Sequence, residues 1–361
     1  MITRRTFLGT AAVLAASATV RLAWGEEPSL PLAIDTLTPD GPFFDPREAV
    51  AAGLSAAVVD IRGFPRNFAM ATQALAEWSS VFQRQGSGFH KVLEAADLDE
   101  ARRLGKLGVI LACQDASILD SSTYSVNDRN LDNLRFFHTL GLRVLQLTHN
   151  DRNAVGDSYR EKSDAGLSLL GERLVAEMNA AGMLIDLSHC GDRTTLEAIR
   201  LSKRPSAVTH SGCRALFPTG RNKTDEVIRA LAERGGYFGI FSMSLWLTDR
   251  DKPSVEDVVD HIDHVVKVGG IDLAGFGSDG PVLGDDTPPE VMLQGYLGFY
   301  RRNQGLPGSE RQPKHVVVPD LGTPKRMQVL ADALKRRGYK SDAVEKVLGG
   351  NFLRVFRQVC G

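Results

Sequence analysis

Met183-Leu184-Ile185-Asp186-Leu187-Ser188-His189 and Ser206-Ala207-Val208-Thr209-His210 decide the reading of this chain. Each is a short apolar run, β-branched in part, that ends in a histidine just ahead of a turn. Apolar runs without period-two alternation suit parallel strands covered on both faces. A parallel barrel presents the side chains at its strand ends to one shared pocket. Two imidazoles delivered in that way make half a metal site.

Similar runs lie on either side. Leu32–Leu37, Ala56–Ile61, Gly108–Cys113, Val144–Thr148, Leu184–Ser188, Ser206–Thr209, Tyr237–Phe241 and Leu273–Gly277 read as strands. Phe68–Arg84, Leu131–Leu140, Leu170–Ala181, Asp192–Leu201 and Asp225–Arg234 carry apolar residues at helical spacing. Ser168 stands where an N-cap belongs. Strands alternating with helices imply a parallel sheet, and eight such units across residues 26–361 predict a single α/β domain, a (β/α)8 TIM-type barrel. No G-x-G-x-x-G phosphate loop follows the first strand. Gly280–Val318, rich in Pro and Gly, predicts a long loop with a short helix beside the pocket. Asp320–Cys360 predicts a helical tail broken at Gly349-Gly350-Asn351.

The chain has 361 residues, 43% hydrophobic and 24% charged, with a formal net charge of −1. It can bury a large core, and it has no basic footprint for nucleic acid. Thr3-Arg4-Arg5-Thr6-Phe7-Leu8-Gly9 is a twin-arginine signature, followed by an Ala-rich stretch from Thr10 to Val20. That stretch is too short and too weakly apolar for a membrane span, and Ala23–Gly25 suits signal cleavage. Residues 1–25 therefore predict an export signal, the twin-arginine machinery as a partner, and a bacterial periplasmic or secreted location. Disulfides are permitted there. Cys113, Cys190, Cys213 and Cys360 match no zinc ribbon or C-x-x-C motif. They read as small core residues, with Cys190–Cys213 as the alternative disulfide.

The polar residues after the strands carry the chemistry: Asp35 and Asp40, Gln114-Asp115, His149-Asn150, His189, His210 and Asp279. Converging histidines with an aspartate point to metal-assisted hydrolysis, in which Asp279 handles the proton. His261 and His264 lie on a helical segment and read as a packed or solvated face.

Taken together, these residues resemble the membrane (renal) dipeptidase family. The resemblance is carried by Gly166-Leu167-Ser168, Leu184–His189, Val208-Thr209-His210-Ser211 and Arg221-Asn222. It continues in Leu145-Gln146-Leu147-Thr148-His149-Asn150, Gly275–Asp279 and Gly350-Asn351-Phe352-Leu353-Arg354-Val355. It implies an amidohydrolase-type barrel, a homodimer in some relatives, and a two-zinc site that cleaves dipeptides. On that resemblance His189 and His210 are ligands of the second zinc, and His149 contacts the substrate and the tetrahedral intermediate. Arg221 holds the substrate carboxylate, a role suited to a guanidinium fork, and Asp279 is the catalytic aspartate.

The chain also departs from the family pattern. The first strand of the family ends His-x-Asp, but here the residues are Leu37-Thr38-Pro39. The bridging Glu is replaced by Gln114. Asp40 and Asp115 each stand one residue later, which in regular strand geometry points to the opposite face. The expectation is a hydrolase of a dipeptide or similar small amide with one zinc, held by His189, His210 and Gln114. Two alternatives stay beside it. One is an inactive or repurposed barrel that binds a small peptide-like ligand in the cell envelope. The other is a metal-independent enzyme tailoring a peptide natural product through His149 and Asp279.

Overall fold

The computed structural model describes residues 30–61, 67–119 and 128–361. The expected export signal at residues 1–25 lies outside them. Nine strands form one sheet: β1 Ile34–Thr38, β2 Ala56–Asp60, β3 Phe89–Lys91, β4 Leu107–Cys113, β5 Leu142–Gln146, β6 Leu184–Asp186, β7 Ala207–Ser211, β8 Tyr237–Ile240 and β9 Ala274–Phe276. Every pairing is parallel, in the order β1-β2-β4-β5-β6-β7-β8-β9. The ends of that path meet through Asp279 N–H to Leu37 O at 3.0 Å and Thr36 Oγ1 to Phe276 O at 3.0 Å. The expected eight-stranded (β/α)8 barrel is therefore present and nearly closed. β3, which the sequence reading does not anticipate, is an extra strand. It pairs with the start of β4 (Leu107–Val109), while β5 pairs with its end (Leu111–Cys113).

Burial explains why the strands read as unbroken apolar runs. Ala57, Val59, Val109 and Leu111 pack against the outer helices, while their neighbours Ala56, Val58, Ile110 and Ala112 belong to a second cluster. That second cluster includes Phe352, Val355, Phe356 and Val359 of the C-terminal helix Asn351–Cys360, which plugs the barrel. Asn351 Nδ2 bonds the carbonyls of Ile271 and Ala274, at 2.7 and 2.8 Å, and fastens the plug to β9. The Gly-Asn-Phe-Leu-Arg motif thus has a structural cause.

Helix boundaries follow local chemistry. Leu169–Ala181 starts at Ser168, whose Oγ accepts the Gly171 N–H at 3.1 Å, and stops at Gly182 with φ +71°. Ser168→Ala should cost about 1 kcal/mol of stability, read as a lower denaturant midpoint. The 280–318 segment departs from expectation: its helix is not short but runs from Pro289 to Asn303. Pro at the first helical position favours that start. Among the described residues no helix is long and apolar enough to cross a membrane.

Candidate metal centre and active site

β6 ends where Asp186 turns back on the chain. Its carboxylate accepts the Ser188 N–H (3.1 Å) and Oγ–H (2.5 Å), and the Thr209 N–H (3.1 Å) and Oγ1–H (2.7 Å). These bonds stitch the β6 exit to β7 and place both histidines. Burial pushes the Asp186 carboxyl up, opposed by its hydrogen bonds from Ser188 and Thr209. His210 lies within β7, one residue short of its end, with its N–H on Ser188 Oγ at 3.1 Å.

The Nε2 atoms of His189 and His210 are 3.0 Å apart. Their other nitrogens fix the tautomers. His189 Nδ1 lies 3.0 Å from Asn150 Oδ1, which also accepts the Tyr159 hydroxyl at 3.1 Å. His210 Nδ1 lies 2.9 Å from Thr209 Oγ1, whose own hydrogen goes to Asp186. We assign Nδ1–H to both rings on this network. Two lone pairs then converge on one region, and that of His189 accepts from Arg221 Nη2 at 3.1 Å, a contact that a metal ion bound there would displace. Two nitrogens bound at 2.0–2.1 Å in a tetrahedral set stand about 3.3 Å apart, so the pair fits one metal with little movement. Support of ligating imidazoles from the far nitrogen is the usual device for orienting metal ligands.

His149 stacks on His189 at 4.3 Å between centroids. Arg221 is fully buried. It donates to Ser188 O (3.0 Å), His210 O (3.2 Å) and His189 Nε2 (3.1 Å). Its guanidinium carbon faces the rings of Phe241, Trp246 and Tyr159 at 5.1, 5.5 and 5.6 Å. Its Nε has no partner. Burial lowers its pKa, while Tyr159 and Asp279 oppose the shift. Asp279 is therefore within electrostatic reach of Arg221, as is Tyr296 on the Pro289–Asn303 helix. Burial raises the Tyr159 hydroxyl to about 12.

The other expected ligands are placed differently. Gln114 turns its amide hydrogens to Asp60, with Nε2 3.3 Å from Asp60 Oδ2. Its Oε1 is buried without a partner, a neutral oxygen available to a cation. Asp115 caps the next turn, accepting Ser117 N–H at 2.9 Å and Asn153 Nδ2 at 2.8 Å. Asp40 accepts the Val282 N–H at 2.7 Å. Leu37 is buried. Among the described residues no three His, Cys, Asp or Glu side chains form a metal-holding group. The residues present fit one metal between the histidines and do not fit the family's first metal. All four cysteines are free.

A cavity of about 510 Å³ is lined by Tyr159 together with Asp192, Arg214 and Glu310. Its carboxylates are already engaged: Asp192 with Arg214 at 2.5 and 3.1 Å, Glu310 with the N–H groups of Gly220 and Gly308 at 2.7 and 2.9 Å.

The family profile of the membrane dipeptidases (Peptidase family M19) matches residues 48–290. The chain belongs to the membrane dipeptidase family. Dipeptidase tcpJ of Claviceps purpurea is 33% identical over 270 residues, 74% of this chain and 54% of that protein. Dipeptidase aclJ of Aspergillus oryzae is 35% identical over 233 residues, 63% of this chain and 47% of that protein. The chain thus spans about half the length of these curated relatives. Among solved structures, an amidohydrolase from Pseudomonas aeruginosa superposes with a TM-score of 0.78 at 26% identity, covering 91% of this chain and 97% of its own. A Rhodobacter sphaeroides metallopeptidase, liganded with a phosphinate mimic of L-Ala-D-Ala, shares the fold, with a TM-score of 0.70 at 19% identity and coverage of 91% and 99%.

This dipeptidase-family barrel leaves His261 and His264 outside the site. His261 is buried between the Cys213 N–H (2.9 Å) and Leu247 O (3.0 Å). His264 pairs with Asp225 at 2.7 Å. Burial pushes His261 down to about 4. Its folded pKa lies below the unfolded value of about 6.5, so the unfolded chain takes the proton first as pH falls. The stability it contributes is complete above about pH 6.5 and shrinks by about 3 kcal/mol on acidification to its folded pKa. His261→Gln should flatten the fall of the denaturant midpoint over that window.

Proposed function

We propose that this dipeptidase-family chain hydrolyses a dipeptide or similar small amide with one zinc, held by His189 and His210 with Gln114 Oε1 as third donor. The observation that carries the reading is the 3.0 Å approach of the two Nε2 atoms with both Nδ1–H groups engaged. When bound, the metal would polarise the scissile carbonyl and lower the pKa of a bound water. The chain's own residues supply the rest. His149, stacked on His189, would donate to the developing oxyanion. Asp279 takes the proton of the attacking water and returns it to the leaving amine. Arg221 sets a buried positive charge beside the histidines. Its unpartnered Nε–H is the donor left for the substrate carboxylate. Cell-envelope placement rests on Thr3–Gly9 and the Ala-rich stretch behind it.

A second reading, a barrel that binds a peptide-like ligand without turnover, is favoured by Leu37, Pro39 and Gln114. Zinc analysis of the purified full chain, with a panel of L,L and L,D dipeptides, separates the two. About one zinc per chain and turnover support hydrolysis. No zinc, no turnover, and dipeptide-induced thermal stabilisation establish the binding reading instead.

A further inference from the structure

At the seam between β9 and β1 the chain lacks the first-metal ligands that its family pattern places there, and a buried guanidinium stands in that region. Arg326 comes from the helix Arg326–Arg336 and is 3% exposed. Its Nη1 meets Ser278 Oγ at 2.8 Å, and Asp35 Oδ2 and Gly280 O at 3.4 Å. Its Nη2 donates to Pro281 O and, at 3.4 Å, to Val282 O, and its Nε donates to Thr323 O at 3.1 Å. Every nitrogen of the fork is thus spent, mainly on Ser278–Val282. Asp35 closes the same turn from β1, accepting the Ser278 N–H at 2.7 Å.

That turn carries Asp279, the one residue other than glycine with positive φ among the described residues, at +55°. The left-handed region is costly for most residues and less so for an aspartate, so contacts around the turn help to hold Asp279 there. The Asp279 N–H to Leu37 O bond contributes, at 3.0 Å. Leu37 and Pro39 cannot ligate a metal, so the turn is held without one.

We propose that Arg326 is the positioning residue for Asp279, its guanidinium and Asp35 doing for the Ser278–Val282 turn what a metal cage cannot do in this chain. The catalytic consequence rests on the reading of Asp279 as the proton-handling group, whereas the structural claim does not. Arg326 acts only through the turn. It has no donor left for a substrate.

The test compares the full-length parent with Arg326→Met, Arg326→Lys and Ser278→Ala by amide exchange and by kinetics. Arg326→Met should speed exchange of the Asp279 amide at least tenfold, with the Ala207–Ser211 strand unchanged. It should lower kcat at least tenfold with KM within twofold, and adding Arg326→Met to Asp279→Asn should lower kcat no further. Arg326→Lys should recover part of the loss. Where Arg326→Met does not fold, Ser278→Ala removes one contact of the fork and should move the same readouts in the same direction. Unchanged exchange at Asp279 in a folded variant overturns the proposal, as do losses that multiply with Asp279→Asn. A parent chain with no turnover at all counts against the hydrolase reading, and amide exchange then decides the role of Arg326 by itself.

Discussion

His189→Ala is expected to take bound zinc from about one per chain to none, and to lower kcat on the best dipeptide by roughly a thousandfold or more. His210→Ala should do the same, because the proposed site takes two of its three donors from these rings. The described residues hold no other His, Cys, Asp or Glu group of that kind. A site with only two nitrogens and one amide oxygen is weak, so the loss of either ring is not buffered. Thr209→Val gives the graded control. It removes the hydroxyl 2.9 Å from His210 Nδ1 and leaves both Nε2 atoms in place. Outer-sphere partners of this kind typically account for 10–100-fold in metal affinity. Zinc titration should therefore rank parent, Thr209→Val and His210→Ala in that order. Equal zinc content in parent and His189→Ala would place the metal elsewhere and remove the basis of the site.

The barrel was legible because burial on both strand faces leaves a signal that needs no partner: a run of apolar residues bounded by turns. All eight such runs are barrel strands, with ends that differ by at most two residues. Phe89–Lys91 escaped because three residues carry no period. Pro289–Asn303 is longer than the sequence suggests because Gly295 and Gly298 lower helix propensity, while the proline at the first helical position and the buried Leu297 favour the helix. The site divides in the same way. His149, His189 and His210 announce themselves by standing at strand ends, which a barrel sends to one face. Asp186 and Thr209 do their work through hydrogen bonds between strands, and a linear reading shows no register. Tyr159, Tyr296 and Arg326 arrive from a loop and two helices whose path over the barrel mouth is set by tertiary packing. Their positions leave no periodic trace.

Arg221→Met is expected to lower the stability of the fold by about 3 kcal/mol and to raise KM more than it lowers kcat. The stability term follows from what the guanidinium holds. Ser188 O and His210 O belong to the exits of adjacent strands β6 and β7, and both accept from the same fork. Methionine fills much of the volume between Phe241, Trp246 and Tyr159, so the cavity contribution stays small. The two carbonyls, however, lose a buried donor, at about 1–3 kcal/mol each. Part of that is recovered because a buried charge no longer has to be desolvated. Arg221→Lys should restore little. One ammonium cannot span two strand exits at once, and a lysine lacks the planar face that meets three aromatic rings. The kinetic term separates recognition from scaffolding: a folded Arg221→Lys variant that binds zinc as the parent does, yet shows raised KM for free dipeptides and unchanged KM for dipeptide amides, assigns the Nε–H to the substrate carboxylate. If KM rises equally for both, Arg221 is a tie between β6 and β7 and the carboxylate is recognised elsewhere.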